Sequence, residues 1–223
     1  MSDSPVTQAA AGAPDDARPD NRVQLILAAD HRDSLERGLY GLTAPPTPAQ
    51  AARISADKLL LYQALLDAVA WLPAQIQPGV LIDEQYGASV AELASHSADA
   101  VSLGMPLEAS GQEWFRFAYG DDWQRHAGFF AAGHAKVLVR DNPALDPARR
   151  EQQARRLGQV SAWAARAGRS LILELLVPAT GADQDATDGN IDRYDDELRP
   201  GHTLQVMEYL QDYGVEPALW TVE

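Results

Sequence analysis

The sequence predicts an α/β fold of the (β/α)8 TIM-barrel type, apparently incomplete, with about six βα units present. Two observations predict it. Short apolar runs with strand character alternate along the chain with amphipathic helical stretches, the pattern of a parallel sheet covered on both faces. No Gly-rich phosphate turn follows the first strand, which argues against a dinucleotide-binding fold. A full barrel typically needs about 250 residues, and here roughly 200 ordered residues supply six units. The expected organisation is a disordered arm over residues 1–21 and a barrel domain over 22–223 that lacks the last two units.

The arm is rich in Ala, Pro, Asp and Ser and has no apolar pattern. The first strand is expected over Val23–Asp30, followed by turn-like residues from Gly38 to Pro46. Thr47-Pro48-Ala49-Gln50 combines a capping threonine, a first-turn proline and a capping-box glutamine, and opens a helix to about Trp71. Val80–Glu84 is the second strand, Ala88–His96 a helix, and Ala100–Leu103 the third strand, with a polar loop from Met105 to Gly120. A helix near Asp121–Ala132 leads into the fourth strand, Ala135–Arg140. Asp146-Pro147 starts an arginine-rich helix to Ala167, and Gly168 ends it. Ser170–Pro178 is the fifth strand, Ala179–Arg199 a long acidic loop, Pro200–Gly214 the last helix and Pro217–Glu223 the sixth strand. Trp71 and Trp163 are expected to pack helices against the sheet.

Composition narrows the function classes. The formal net charge is −14, so a nucleic-acid partner is not expected, because phosphate binding needs a basic surface. No apolar run approaches the ~20 residues of a membrane span. The N-terminus shows no secretory signal and there is no cysteine, so a cytoplasmic protein without thiol chemistry is expected.

Polar groups in such a fold gather where the strands end. In order these are Asp30 with His31 and Arg32, Asp83 with Glu84, Glu108, Lys136 with Arg140, Glu174, and Thr221 with Glu223. Lys136 stands out because only two of the 18 basic side chains are lysines, and this one lies inside a strand. A buried lysine loses its proton readily and can become a nucleophile; equally, it can be a core ammonium neutralised by a carboxylate of a neighbouring strand. Alternation along strands puts Lys136, Leu138 and Arg140 on one face, as it does Ile26, Ala28 and Asp30, and Ile172, Glu174 and Leu176. If these faces point inward, Lys136 has Glu174 beside it and Asp30 further round. A lysine so placed can form an imine with a carbonyl substrate while an acid moves protons; the plainer account is a buried ion network. The five histidines have no paired ligand spacing, and no metal site is expected. Asp83 and Glu84 point to opposite faces, and Asp183, Asp185, Asp188 and Asp192 depart from a calcium-loop spacing.

Several stretches resemble a known family. They are Ala29-Asp30-His31-Arg32, Leu81-Ile82-Asp83-Glu84-Gln85-Tyr86-Gly87, Met105-Pro106-Leu107-Glu108-Ala109-Ser110-Gly111-Gln112 and Tyr119-Gly120-Asp121-Asp122, then Ala135–Arg140, Glu174–Thr180 and Tyr194–Pro200. In order, over Val23–Glu223, they resemble the aldolase domain of inositol catabolism, which cleaves 2-deoxy-5-keto-gluconate 6-phosphate and is related to the tagatose-bisphosphate aldolases. The resemblance implies a class I, Schiff-base aldolase with no metal or other cofactor, yielding dihydroxyacetone phosphate and an aldehyde. It places Lys136, Glu174 and Asp30 in the catalytic set. His31, Arg32, Asp83, Glu84, Glu108, Arg140 and Thr221 fall in the substrate-binding set, and the partner is a small phosphorylated sugar or keto acid. Two departures accompany it. Trp220-Thr221-Val222-Glu223 has threonine where related aldolases carry the imine lysine, and the two units whose loops bind the substrate phosphate are not in this sequence. Lys136 is then the imine former, or the chain is a truncated or degenerate non-catalytic relative; a third reading is a barrel completed by association, as in a homo-oligomer.

Overall fold

The computed structural model describes residues 22–97 and 99–223, so the expected arm over 1–21 lies outside the described residues. Six strands form one sheet in sequential order, and every neighbouring pair is parallel. They are β1 (Val23–Ala29), β2 (Ile76–Ile82), β3 (Ser102–Pro106), β4 (His134–Arg140), β5 (Ser170–Leu176) and β6 (Leu219–Val222). The helices are α1 (Asp33–Gly38), α2 (Pro48–Val69), α3 (Glu84–Ser95), α4 (Trp123–Phe129), α5 (Pro147–Arg166), α6 (Gly181–Ala186), α7 (Ile191–Arg193) and α8 (Arg199–Asp212).

The sheet is curled into an open half-barrel. In a flat sheet three strand spacings would hold β1 and β4 roughly 14 Å apart, beyond the joint reach of a lysine and an aspartate. Yet Lys136 on β4 brings Nζ to 2.9 Å from Oδ2 of Asp30, the residue after β1. The curl follows the right-handed twist of parallel strands and turns their alternating side chains toward one concave face. Helices pack on the convex side over two apolar clusters. Val80, Ile82, Leu103 and Met105 meet Tyr62 and Val90 under α2 and α3. Val137, Val139, Leu173 and Leu175 meet Leu157, Val160 and Leu210 under α5 and α8. Gly158 lets those two helices close, since a Cβ there would lie 2.5 Å from the Tyr213 carbonyl oxygen.

The local signals act as expected where they are chemically complete. Thr47 and Gln50 form the reciprocal capping box at α2, and Gly168 leaves α5 at φ +64°. The stretch 179–199 differs. It holds α6, α7 and a π-helical turn, because Thr180 and Asp183 form a second capping box and Asn190 caps α7. Asp and Gly content pointed to a loop, but Asp183 is half of a capping box. Helix α3 begins at Glu84, four residues before the expected start, because Asp83 is its N-cap. Trp163 packs on the core, but Trp71 is 87% exposed, because α2 ends at Val69 and Trp71 lies beyond it. Among the described residues, no helix is long and apolar enough to cross a membrane.

Candidate functional site

The concave face holds a cavity of about 380 Å³ at the C-terminal ends of the strands. Its floor is Ile26 and Ala28 of β1, Leu81 of β2, Lys136, Leu138 and Arg140 of β4, Ile172 and Glu174 of β5 and Thr221 of β6. These are the alternating positions that strand parity puts on one face. Asp30, His31, Arg32, Glu108, Ser110 and Gln112 close its mouth from the loops after β1 and β3.

Lys136 is the hub. It is 3% exposed, and its Nζ stands 2.9 Å from Asp30, 3.2 Å from Glu108 and 2.9 Å from Glu174. Each partner arrives for a local reason. Asp30 is the first residue past the edge-strand β1. Glu108 is carried by an extension of β3, in which Leu107 N–H donates to the Lys136 carbonyl and Glu108 bridges Phe117. Glu174 lies one strand over, its register partners being Leu138 and Thr221. Burial alone would lower the pKa of Lys136, but Glu108, Asp30 and Glu174 outweigh it and push the group well above the lysine range. The resting lysine is therefore held as an ammonium, which fits the core-ammonium reading of the sequence rather than the discharged one. Glu108 moves the other way from an ordinary carboxylate: full burial pushes its pKa up against the pull of Lys136. Its Oε2 is buried without a hydrogen-bond partner. The cluster thus sets an ammonium beside a carboxylate whose burial opposes its charge.

Arginines frame the cavity. Arg32 donates through Nη2 to the Glu108 carbonyl at 2.8 Å, and its Nε is buried without a partner. Arg140 Nη1 donates to the Gln112 carbonyl at 3.0 Å. His31 is largely exposed at the rim. Asp83 does not line this cavity. It is fully buried, its Oδ1 accepts from Tyr86 N–H at 2.8 Å and its Oδ2 pairs with Lys58. Lys58 also donates to the carbonyls of Ala29 (2.8 Å) and His31 (2.9 Å), so this second lysine ties α2 and α3 to the end of β1. Glu84, the first residue of α3 and not a strand residue, enters a neighbouring cavity with His126. His126, Tyr119 and Lys58 were not singled out by sequence reasoning. Glu84 and His126 are 42 positions apart, and no spacing rule links the start of one helix to another helix that far on. Among the described residues, no three His, Asp or Glu side chains are grouped to hold a metal ion.

A family model matches residues 14–223, nearly the whole chain. The chain belongs to that family, described as uncharacterized protein conserved in bacteria (DUF2090). No curated protein matches it. Membership covers the whole curled sheet and every residue of the Lys136 cavity.

Proposed function

We propose that the chain is an aldehyde-lyase of the Schiff-base aldolase kind, with a (β/α)8-type scaffold of which six units are in hand. Its substrate would be 2-deoxy-5-keto-gluconate 6-phosphate or a related keto-sugar phosphate, cleaved to dihydroxyacetone phosphate and an aldehyde. The observation that carries this reading is the Lys136 ammonium shared by three carboxylates inside a strand-end cavity. Lys136 first gives a proton to Glu174, the most exposed of the three and 2.9 Å away. The freed amine adds to the substrate carbonyl, Glu174 returns its proton to the departing hydroxyl, and loss of water leaves a protonated imine. A carboxylate, Asp30 or Glu174, then takes the proton of the β-hydroxyl. The carbon–carbon bond breaks, and its electron pair moves into the imine to give an enamine. Protonation of the enamine and hydrolysis of the imine return the lysine. Arg32 and Arg140 would hold the anionic end of the substrate, and His31 at the rim would meet its exposed part.

One observation favours a second reading, a non-catalytic relative that binds without covalent chemistry. Thr221, which cannot form an imine, faces Glu174 on β6, and the three carboxylates hold Lys136 in its unreactive charged form. Borohydride reduction in the presence of dihydroxyacetone phosphate, followed by peptide mass mapping, separates the two. An adduct on the peptide containing Lys136 supports the aldolase. Saturable binding of the same compound without any adduct overturns it in favour of the second reading.

A further inference from the structure

Beside the Lys136 cavity, on the other side of Arg32, lies a second cavity of about 340 Å³. Its polar wall is built from α3, α4 and the loop before α4. Glu84, the first residue of α3, places both carboxylate oxygens 3.0 Å from Nδ1 of His126 on α4. Tyr119 stacks on the His126 ring at 3.6 Å between centroids and 5° between planes, and its hydroxyl bonds to Glu84. This is an oriented imidazole. A carboxylate on Nδ1 selects the tautomer in which Nδ1 carries the proton and Nε2 is the accepting nitrogen, and the stacked ring prevents rotation. Burial first, then Glu84, pushes the Tyr119 hydroxyl up to about 12, so it stays protonated and donates to Glu84.

The remaining wall says what would sit there. Met105, Leu107 and Trp123 give it an apolar side, and Ser110 a hydroxyl. Arg32, which lies between the two cavities with Nη2 3.8 Å from Glu108 Oε1, contributes the cation. A guanidinium bordering a cavity prefers an anionic oxygen as its acceptor.

We propose that the cavity of Glu84, Tyr119 and His126 is a second ligand site, for a small organic anion that also carries a hydroxyl group. Arg32 takes the anionic oxygens, and His126 Nε2 accepts the hydroxyl proton. Glu84 and Tyr119 are positioning residues, since they act through the imidazole. The site shares Arg32 with the Lys136 cavity but needs neither the imine chemistry proposed above nor Lys136.

Glycerol 3-phosphate and glycolate are suitable probes, with inorganic phosphate and 1-propanol as half-probes that carry only the anion or only the hydroxyl. The readout is the His126 ring resonances in the full chain during titration, assigned by their loss in H126Q. Either full probe should shift them saturably, and should bind roughly tenfold or more tightly than either half-probe, the worth of one charged hydrogen bond. R32M should weaken the full probes by about the same factor, while R32K retains part of the binding. E84Q should keep the affinity within a few-fold but change the ring resonances, because it alters the group on Nδ1. E174Q, in the neighbouring cavity, should leave binding intact. Phosphate matching glycerol 3-phosphate would reduce the site to an adventitious anion contact and overturn the proposal, as would ring resonances that ignore every probe. Failure of the borohydride adduct with this titration intact would sink the aldolase reading alone.

Discussion

At the scale of single residues, the ion cluster decides both chemistry and stability. Lys136 neutralises carboxylates that would otherwise face one another in a buried space. Removing one partner of such a cluster leaves uncompensated charge, so K136M should lose about 3–5 kcal/mol of unfolding free energy at neutral pH. The pH response follows from the sign of the shift. A lysine whose native pKa is raised contributes stability that is complete below its unfolded pKa and is lost only as pH climbs through the raised value. The wild-type contribution is therefore flat across neutral pH. In K136M Glu108 loses the ammonium that opposes the effect of its burial, its native pKa rises further, and stability falls as pH rises from 5 to 8. Urea unfolding at the two pH values checks this; a variant equally stable at both would show that the cluster is not coupled. Asp183 gives the opposite case. Burial works against its ionisation, but donors from Thr180 and Asn142 overcome it and hold its pKa below the usual value. Its contribution is present above the unfolded carboxylate pKa and is lost as pH falls through the native one. Asp183→Asn should flatten the acid limb of a stability profile and cost about 1–3 kcal/mol at neutral pH.

At the scale of elements, the joint between α2, α3 and β1 positions both cavities. Lys58 of α2 holds the carbonyls on either side of Asp30 and the carboxylate that caps α3. Burial lowers the pKa of Lys58, and Asp83 opposes the shift. Asp83→Ala removes the counter-charge and the cap together, and should cost about 3–5 kcal/mol. Because the orphaned lysine must then shed its proton to stay buried, this variant should gain stability between pH 6 and pH 9, as denaturant midpoints would show; a midpoint that fell over that range would mean that Lys58 had found another partner. Thr47→Ala touches only the box at the start of α2 and should cost about 1 kcal/mol without altering ligand binding in either cavity. The same elements show what was legible in advance. Starts with complete chemical signals, at Thr47 and Asp146, were readable to within a residue. The apolar run before Asp83 makes it look like the end of a strand, although an aspartate there serves equally as the cap of the next helix. Residues 179–199 were read by composition, and composition cannot tell a solvated aspartate from a capping one.

At the scale of the whole molecule, charge opposes compactness. A chain with a formal charge of −14 repels itself, and added salt screens that repulsion while reaching the buried Lys136 cluster much less. The thermal midpoint should therefore rise between low salt and about 0.5 M sodium chloride; a fall would mean that exposed ion pairs such as Arg193 with Glu197 outweigh the net repulsion.

What the sequence determined by itself is set by short-range rules. Strand period placed Lys136, Arg140, Glu174 and Asp30 on one face, and the alternation of strands with helices required a parallel sheet. Only the tertiary structure decided what those groups do to one another. The curl of the sheet brings Asp30 across to Lys136, the β3 extension adds Glu108, and together they turn a lysine that burial would discharge into a firmly held ammonium. Likewise Asp83 and Glu84 are neighbours in sequence, yet one is sealed against Lys58 and the other opens onto His126. Electrostatic effects depend on distances through space, and those are fixed by how the sheet closes rather than by the order of residues.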